Sequence, residues 1–405
     1  MSEFEKSNQD RRKFLQDGAA MGGLAAISGL VPSVAFGQAA SKIKVGLMLP
    51  FTGTFGQIGL GISNAFKLAI QENGGKIAGR EVEYATVDDE SDPAKGADNA
   101  NRLVSRDKVD VLVGTVHSGV QMGIQKIARE SGVLTIIPNA GVAAATTTLC
   151  APNVFRTSFA NGQTTYPMGP VVAKKGHKSV VTLSWRYAAG EEMIAGFKDS
   201  YTNAGGKILR ELWLPFPNVE FQALLTEIAS LKPDAVFVFF AGGGAAKFLR
   251  DYQAAGLKDK IPLYGSGFLT DGVLDAVGNA AEGIETTLHY GDGIETPKNK
   301  AFRLAFAKNY KMQPDVYSMQ GYDAGLLLIA GLNAVKGDIT KKKEIISAME
   351  KAQIDSPRGK WHMSAGHNPV QDFYLRKVVG QENKVIGVAM KALDYPPASL
   401  CKMVR

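Results

Sequence analysis

The sequence predicts an α/β protein with parallel sheets in two successive lobes, and three observations predict it. First, short apolar or β-branched runs alternate with helix-length segments from Ile43 to Tyr264, which implies parallel strands joined by right-handed crossovers. Second, the pattern starts again at Ser179, and the first helix of each half runs into the same tetrapeptide, Gly74-Gly-Lys-Ile77 and Gly205-Gly-Lys-Ile208. Third, the loops after the strands carry glycine, hydroxyls and amides. In open α/β sheets these loops share the carboxyl edge of the strands, where ligands bind.

In order, Ile43–Leu49 is a strand, followed by the loop Pro50–Gly59 and a helix with Ile62, Ala65, Phe66, Ala69 and Ile70 on one face. A strand Val82–Val87 leads to Asp88-Asp-Glu-Ser-Asp92 and a helix through Ala100 and Leu103. Val109–Val113 is a strand buried on both faces, apolar apart from Asp110. From Val120 the spacing turns helical, and strand Leu134–Ile137 enters Pro138-Asn-Ala-Gly141. The second half repeats the scheme: strand Ser179–Leu183, loop Trp185–Gly190 and a helix with Ile194, Phe197 and Tyr201. Strand Ala235–Phe240 precedes Ala241–Gly244 and a helix with Phe248 and Tyr252; strand Pro262–Tyr264 precedes Gly265-Ser-Gly-Phe268. Helices Tyr317–Val335 and Lys342–Lys351, a turn-rich stretch Ser356–Pro369 and a strand pair through Phe373 and Val385 close both lobes.

The stretch that organises the first half is Gly114-Thr-Val-His-Ser-Gly119. Ser118 sits at the N-cap position, where its hydroxyl takes an orphan amide of the first turn. A ligand carboxylate can take the others, favoured by the helix dipole. Ser118 is thus a cap, a ligand group, or both, and its neighbour His117 either lines a pocket or packs beneath it.

The chain has 405 residues, 45% hydrophobic and 21% charged, with a net charge of +7. The basic residues are scattered among acids, so nucleic acid is not an expected partner. Asp10-Arg-Arg-Lys-Phe-Leu-Gln16 is a twin-arginine pattern, followed by an apolar run interrupted by glycines, Ser28 and Pro32. Residues 1–37 read as a signal peptide cleaved after Gly37, and the product as periplasmic. Cys150 and Cys401 are the only cysteines. In an oxidising compartment they are expected to pair, pinning a tail that follows Pro396-Pro397; two free thiols are the competing expectation.

No Gly-x-Ser-x-Gly, His-Glu-x-x-His, Cys-x-x-Cys or phosphate loop occurs, and an exported hydrolase would lack a nucleophile with its base. Gly59-Leu-Gly61 with Asp88 falls too far past its strand for dinucleotide binding. His362 and His367 read as surface histidines without a metal partner. No cofactor, metal or catalysis is expected.

With these features the chain resembles the branched-chain amino acid type of periplasmic solute-binding proteins, the receptors of ATP-driven importers. The resemblance runs from Ile43 to about Val388 and is most specific at Lys44–Gly53, Val87–Pro93, Val113–Gly119 and Gln320–Ala324. It implies two Rossmann-like lobes joined by a three-segment hinge, residues 41–158 with 288–368 and residues 159–287 with 369–405. It also implies a monomer that hands its ligand to membrane permease subunits, with a ligand-sensing domain as the alternative role. By the same resemblance the loops Val116-His117-Ser118 and Asn139-Ala140-Gly141 hold a carboxylate, and Tyr187 and Tyr317 flank the ligand. Phe55, in the first glycine-rich loop, joins this expected set. Two positions depart from the amino acid binders: Gly141 stands where they offer threonine, and Gly267 where they place an acid for the ammonium. With Phe268 next in line, the resemblance narrows to the branch that takes up aromatic carboxylic acids, with branched-chain or other amino acids as the alternative.

Overall fold

The computed structural model describes residues 41–403; the signal-peptide reading and its cleavage site lie outside them. Two sheets organise the described residues. The first holds β1 (Ile43–Leu49), β2 (Lys76–Ile77), β3 (Arg80–Asp88), β4 (Val111–Gly114), β5 (Leu134–Ile137) and β6 (Val154–Arg156) in the order β2-β3-β1-β4-β5-β6. All its pairings are parallel except the short β2 against β3. The second contains β7 (Ser179–Arg186), β8 (Lys207–Pro215), β9 (Ala235–Phe239), β10 (Leu263–Ser266), β11 (Glu285–Leu288), β12 (His362–Met363), β13 (Pro369–Val379) and β14 (Glu382–Leu393). Its path is β12-β13-β11-β10-β9-β7-β8, with β14 on β13; β7 to β11 are parallel and β13 and β14 antiparallel. The α/β, two-lobe expectation agrees with this architecture.

The near-continuous apolar strands follow from cover on both faces. In β4, Val111 and Val113 join Phe66, Leu328 and Met349 on one side, while Leu112 joins Val120, Ile124 and Leu103 on the other. In β9, Phe237 stacks on Phe197 at 3.9 Å between ring centroids, while Val236 and Val238 face Phe248 and Leu249. Asp110, the polar residue before β4, accepts the Lys44 N–H at 2.8 Å and so holds the start of β1.

The chain passes between the two layers three times: between β6 and β7, between β11 and the helix Val316–Ala334, and between the helix Lys342–Glu350 and β13. Arg358 ties the first and third passages together, donating to the carbonyls of Thr157 (2.6 Å) and Ser158 (3.2 Å) and to Gln371 Oε1 (2.7 Å). Its charge is met by Asp323 at 3.1 Å, both groups being buried. After β14 the tail returns to the first lobe's Ala143–Thr146 turn, where Cys150 and Cys401 are joined with Cα atoms 5.8 Å apart.

Sequence reading missed β8 and the helices Gln222–Leu231 and Pro297–Tyr310. β8 is an edge strand that buries only Leu212 and Leu214, and its first residues look like the end of a helix. Pro297–Tyr310 buries only Asn299, Phe302 and Phe306, leaving no wide apolar face to detect. Its start was legible: Thr296 accepts the Asn299 N–H, and Pro297 occupies the first turn. His367 corrects the surface reading. It is buried, stacks on Phe155 at 4.0 Å, and its ring nitrogens meet Val154 O (2.9 Å) and Glu350 Oε1 (3.1 Å). Among the described residues no helix is long and apolar enough to cross a membrane, and no cluster of His, Cys, Asp and Glu suits a metal ion.

Candidate functional site

The carboxyl edges of the two sheets face each other across a tightly closed cavity of about 30 Å³, well below the ~300–1,000 Å³ of open ligand sites. From the first lobe come Phe55, Ser118, Asn139 and Gly141; from the other side come Tyr187, Phe239 and Phe268, and Tyr317 enters from the start of its long helix. Asp88 fixes the loop that carries Phe55, accepting the Phe51 N–H at 2.9 Å and the Thr52 hydroxyl at 2.6 Å. The lobes touch around the cavity: His117 stacks on Tyr187 at 4.7 Å, and Phe55 packs on Phe216 at 5.5 Å.

One end of the cavity is polar. The helix Ser118–Ser131 points its amino terminus there, with Ser118 as its first helical residue and the N-cap one position earlier than expected. His117 is the cap: its Nδ1 accepts the Gly119 N–H at 3.0 Å. Burial pushes the His117 pKa down to about 4, so the ring is neutral at pH 7 and free to accept. The Ser118 hydroxyl is thereby released from capping and accepts a hydrogen bond from Asn161 Nδ2 at 3.3 Å.

Asn161 and Glu192 were not legible as site residues. Asn161 lines the cavity and also donates to Glu192 Oε2 at 2.8 Å. Glu192, on the helix Ala188–Asn203, accepts the Ala143 N–H at 3.0 Å and so links that helix to the first lobe's loop. Burial raises its carboxyl pKa; the hydrogen bonds from Asn161 and Ala143 and the nearby Arg156 guanidinium oppose that shift. No motif marks these residues, because their contacts span 31 to 49 positions. Phe239 did carry a signal, sitting at the carboxyl end of its strand.

The glycine at 141 has a steric reason. A Cβ there would collide with Asn161 Oδ1 and come within 2.6 Å of Phe159 Cε2, so no threonine fits. Two expected residues are not on the cavity wall. Ala140 is fully buried and its N–H is committed to Thr115 O at 2.9 Å, while His117 packs behind Tyr187. Asn139 reaches the wall, yet its side-chain amide donates to Gln320 Oε1 at 2.7 Å.

The other walls are aromatic: six rings line the cavity, those of Phe55, Phe159, Tyr187, Phe239, Phe268 and Tyr317, and no carboxylate, amine, guanidinium or imidazole does. At Gly267 a Cβ would run into Arg376 Nη2 and lie 2.6 Å from Leu288 Cβ. The next acid along, Asp271, is buried and paired with Arg376 at 2.7 Å. Burial raises its carboxyl pKa, and the guanidinium opposes that rise.

Comparison with known proteins fits this geometry. A family model described as periplasmic binding protein matches residues 42–383. The Leu/Ile/Val-binding protein homolog 6 of Brucella abortus is 29% identical over 363 residues, covering 87% of this chain and 91% of its own. A solute-binding protein of an ABC transporter from R. palustris, solved with benzoate, is 51% identical with a TM-score of 0.85, covering 87% of this chain and 97% of that one. Another from Rhodopseudomonas palustris BisB5, solved with 3,4-dihydroxybenzoic acid, is 32% identical with a TM-score of 0.83, covering 88% and 99%.

Proposed function

The chain belongs to the periplasmic binding protein family, as a solute-binding protein of the ABC transporter class, and on that premise we propose that its solute is a small aromatic monocarboxylate. Proteins of this class are receptors, not enzymes; they bind a small molecule outside the cytoplasm and deliver it to a permease. The observation that carries the ligand class is the pairing of six aromatic rings with a wall free of ionised side chains. An ammonium enclosed there would have no partner, since Asp271 is already neutralised by Arg376, and an unpaired buried ion costs several kcal/mol. A carboxylate fares better. The Ser118 hydroxyl and the amides at the start of its helix offer donors and a favourable dipole. The 51% identical protein solved with benzoate supports the same class.

Closure of the lobes on the ligand is the proposed mechanism. Each lobe contributes part of the cavity, and the Glu192–Ala143 hydrogen bond joins the two.

Titration calorimetry should find benzoate, a hydroxybenzoate or cinnamate binding at least about 100-fold more tightly than leucine or phenylalanine, the factor for about 2.7 kcal/mol of unpaired ammonium. Tight leucine binding with no response to any aromatic acid would overturn the reading. Ser118→Ala should weaken binding of the best acid by about 1.5–3 kcal/mol, the range for a hydrogen bond to a charged group. Because His117 is the cap, the melting temperature should hardly move. Unchanged affinity would remove Ser118 from the carboxylate site.

A further inference from the structure

Tyr317 is the one cavity-lining side chain whose hydroxyl is buried with no hydrogen-bond partner among the described residues. The residue is 2% exposed, and its ring stacks on Phe268 at 5.8 Å. No hydrogen bond joins it to the nearby acids. Asp315 accepts the Ser318 N–H at 2.9 Å and the Ser318 hydroxyl at 3.0 Å. Asp271 pairs with Arg376 at 2.7 Å. A buried polar group left without a partner is rare in a native protein and calls for one. Burial holds the phenol well above its ordinary pKa, so it remains a neutral O–H that both donates and accepts.

A bare benzoate offers the ring wall nothing to meet this hydroxyl once its carboxylate is held at Ser118. A phenolic hydroxyl on the ligand ring matches it in either direction, as donor or as acceptor. We propose that the receptor is built for ring-hydroxylated benzoates and that the Tyr317 hydroxyl bonds to the hydroxyl of the ligand ring, making Tyr317 the residue that sets ring specificity. This deepens the aromatic-acid reading and rests on it.

The test compares benzoate, 3-hydroxybenzoate and 4-hydroxybenzoate by calorimetry on the wild type and on Tyr317→Phe. In the wild type, one of the two hydroxybenzoates should bind about three- to tenfold more tightly than benzoate, as one neutral hydrogen bond provides. In Tyr317→Phe that advantage should vanish, so that benzoate and the hydroxybenzoates bind alike. Equal wild-type affinities for all three acids would overturn the proposal and leave the aromatic-acid reading standing. A Tyr317→Phe loss of equal size for benzoate and the hydroxybenzoates would also overturn it, placing the phenol on the carboxylate instead. Absence of binding by all three would sink both readings together. The wild-type comparison stands on its own even if the variant folds poorly.

Discussion

Arg376→Met should lower the stability of the protein by about 3–5 kcal/mol, because it strands a buried carboxylate. Arg376 is fully buried on β13 and holds several groups at once. It pairs with Asp271 at 2.7 Å and donates to Tyr290 O at 2.9 Å, Gly267 O at 3.1 Å and Thr286 Oγ1 at 3.0 Å. Methionine fills much of the volume but leaves Asp271 without its counter-ion and those acceptors unmet. The sign of the pH dependence follows from Asp271, whose carboxyl is already raised by burial. Without the guanidinium the folded-state pKa rises further, so the folded form takes up the proton more readily than the unfolded one. The deficit should therefore narrow as pH falls from 7 to 5 and widen as it rises. The double variant Arg376→Met with Asp271→Leu should regain most of the loss, since no buried ion remains. Urea denaturation of the three proteins at two pH values measures this. A single-variant loss below about 1 kcal/mol, or one independent of pH, would show that the pair does not hold this loop.

The same pair shows what a sequence conceals. Gly267 was legible as the position lacking an acid, and Phe268 as an apolar neighbour. Asp271 lies only four positions on. Only its pairing with a residue 105 positions away, Arg376, removes it from the site. The strands were legible because burial on both faces writes a continuous apolar run, as in Val111–Val113 and Ala235–Phe239. The edge strand β8 was not, since it faces the core on one side only. Within the site, glycines and hydroxyls at strand ends pointed to Ser118, Gly141 and Phe268, all on the cavity wall. The exchange of roles between His117 and Ser118 was hidden. Both side chains can cap, and burial of the imidazole beside Tyr187 decides which does. Asn161 was hidden for a related reason: its side chain fills the space a threonine at 141 would need, which is a property of the packing.

Breaking the Cys150–Cys401 bridge should cost stability on a similar scale, about 2–5 kcal/mol, with little change in ligand affinity. The two residues are 251 positions apart, and closing so long a loop in the unfolded chain gives about 5 kcal/mol as an upper figure on the chain-entropy model. The bridge also secures a tail with few other anchors. Leu393 O accepts from Gln163 Nε2 at 2.7 Å, and Tyr395 packs on Tyr166 at 4.7 Å. Beyond these, Cys401 is the buried residue that fastens the tail to the first lobe. None of these groups lines the cavity, so affinity should survive if the fold does. Cys150→Ser with Cys401→Ser, compared with wild type by calorimetric melting under non-reducing conditions, provides the measurement. A lower melting temperature with unchanged aromatic-acid affinity is expected. The wild type melting alike with and without reductant, at the same temperature as the double variant, would show that the tail contributes nothing to the closed fold.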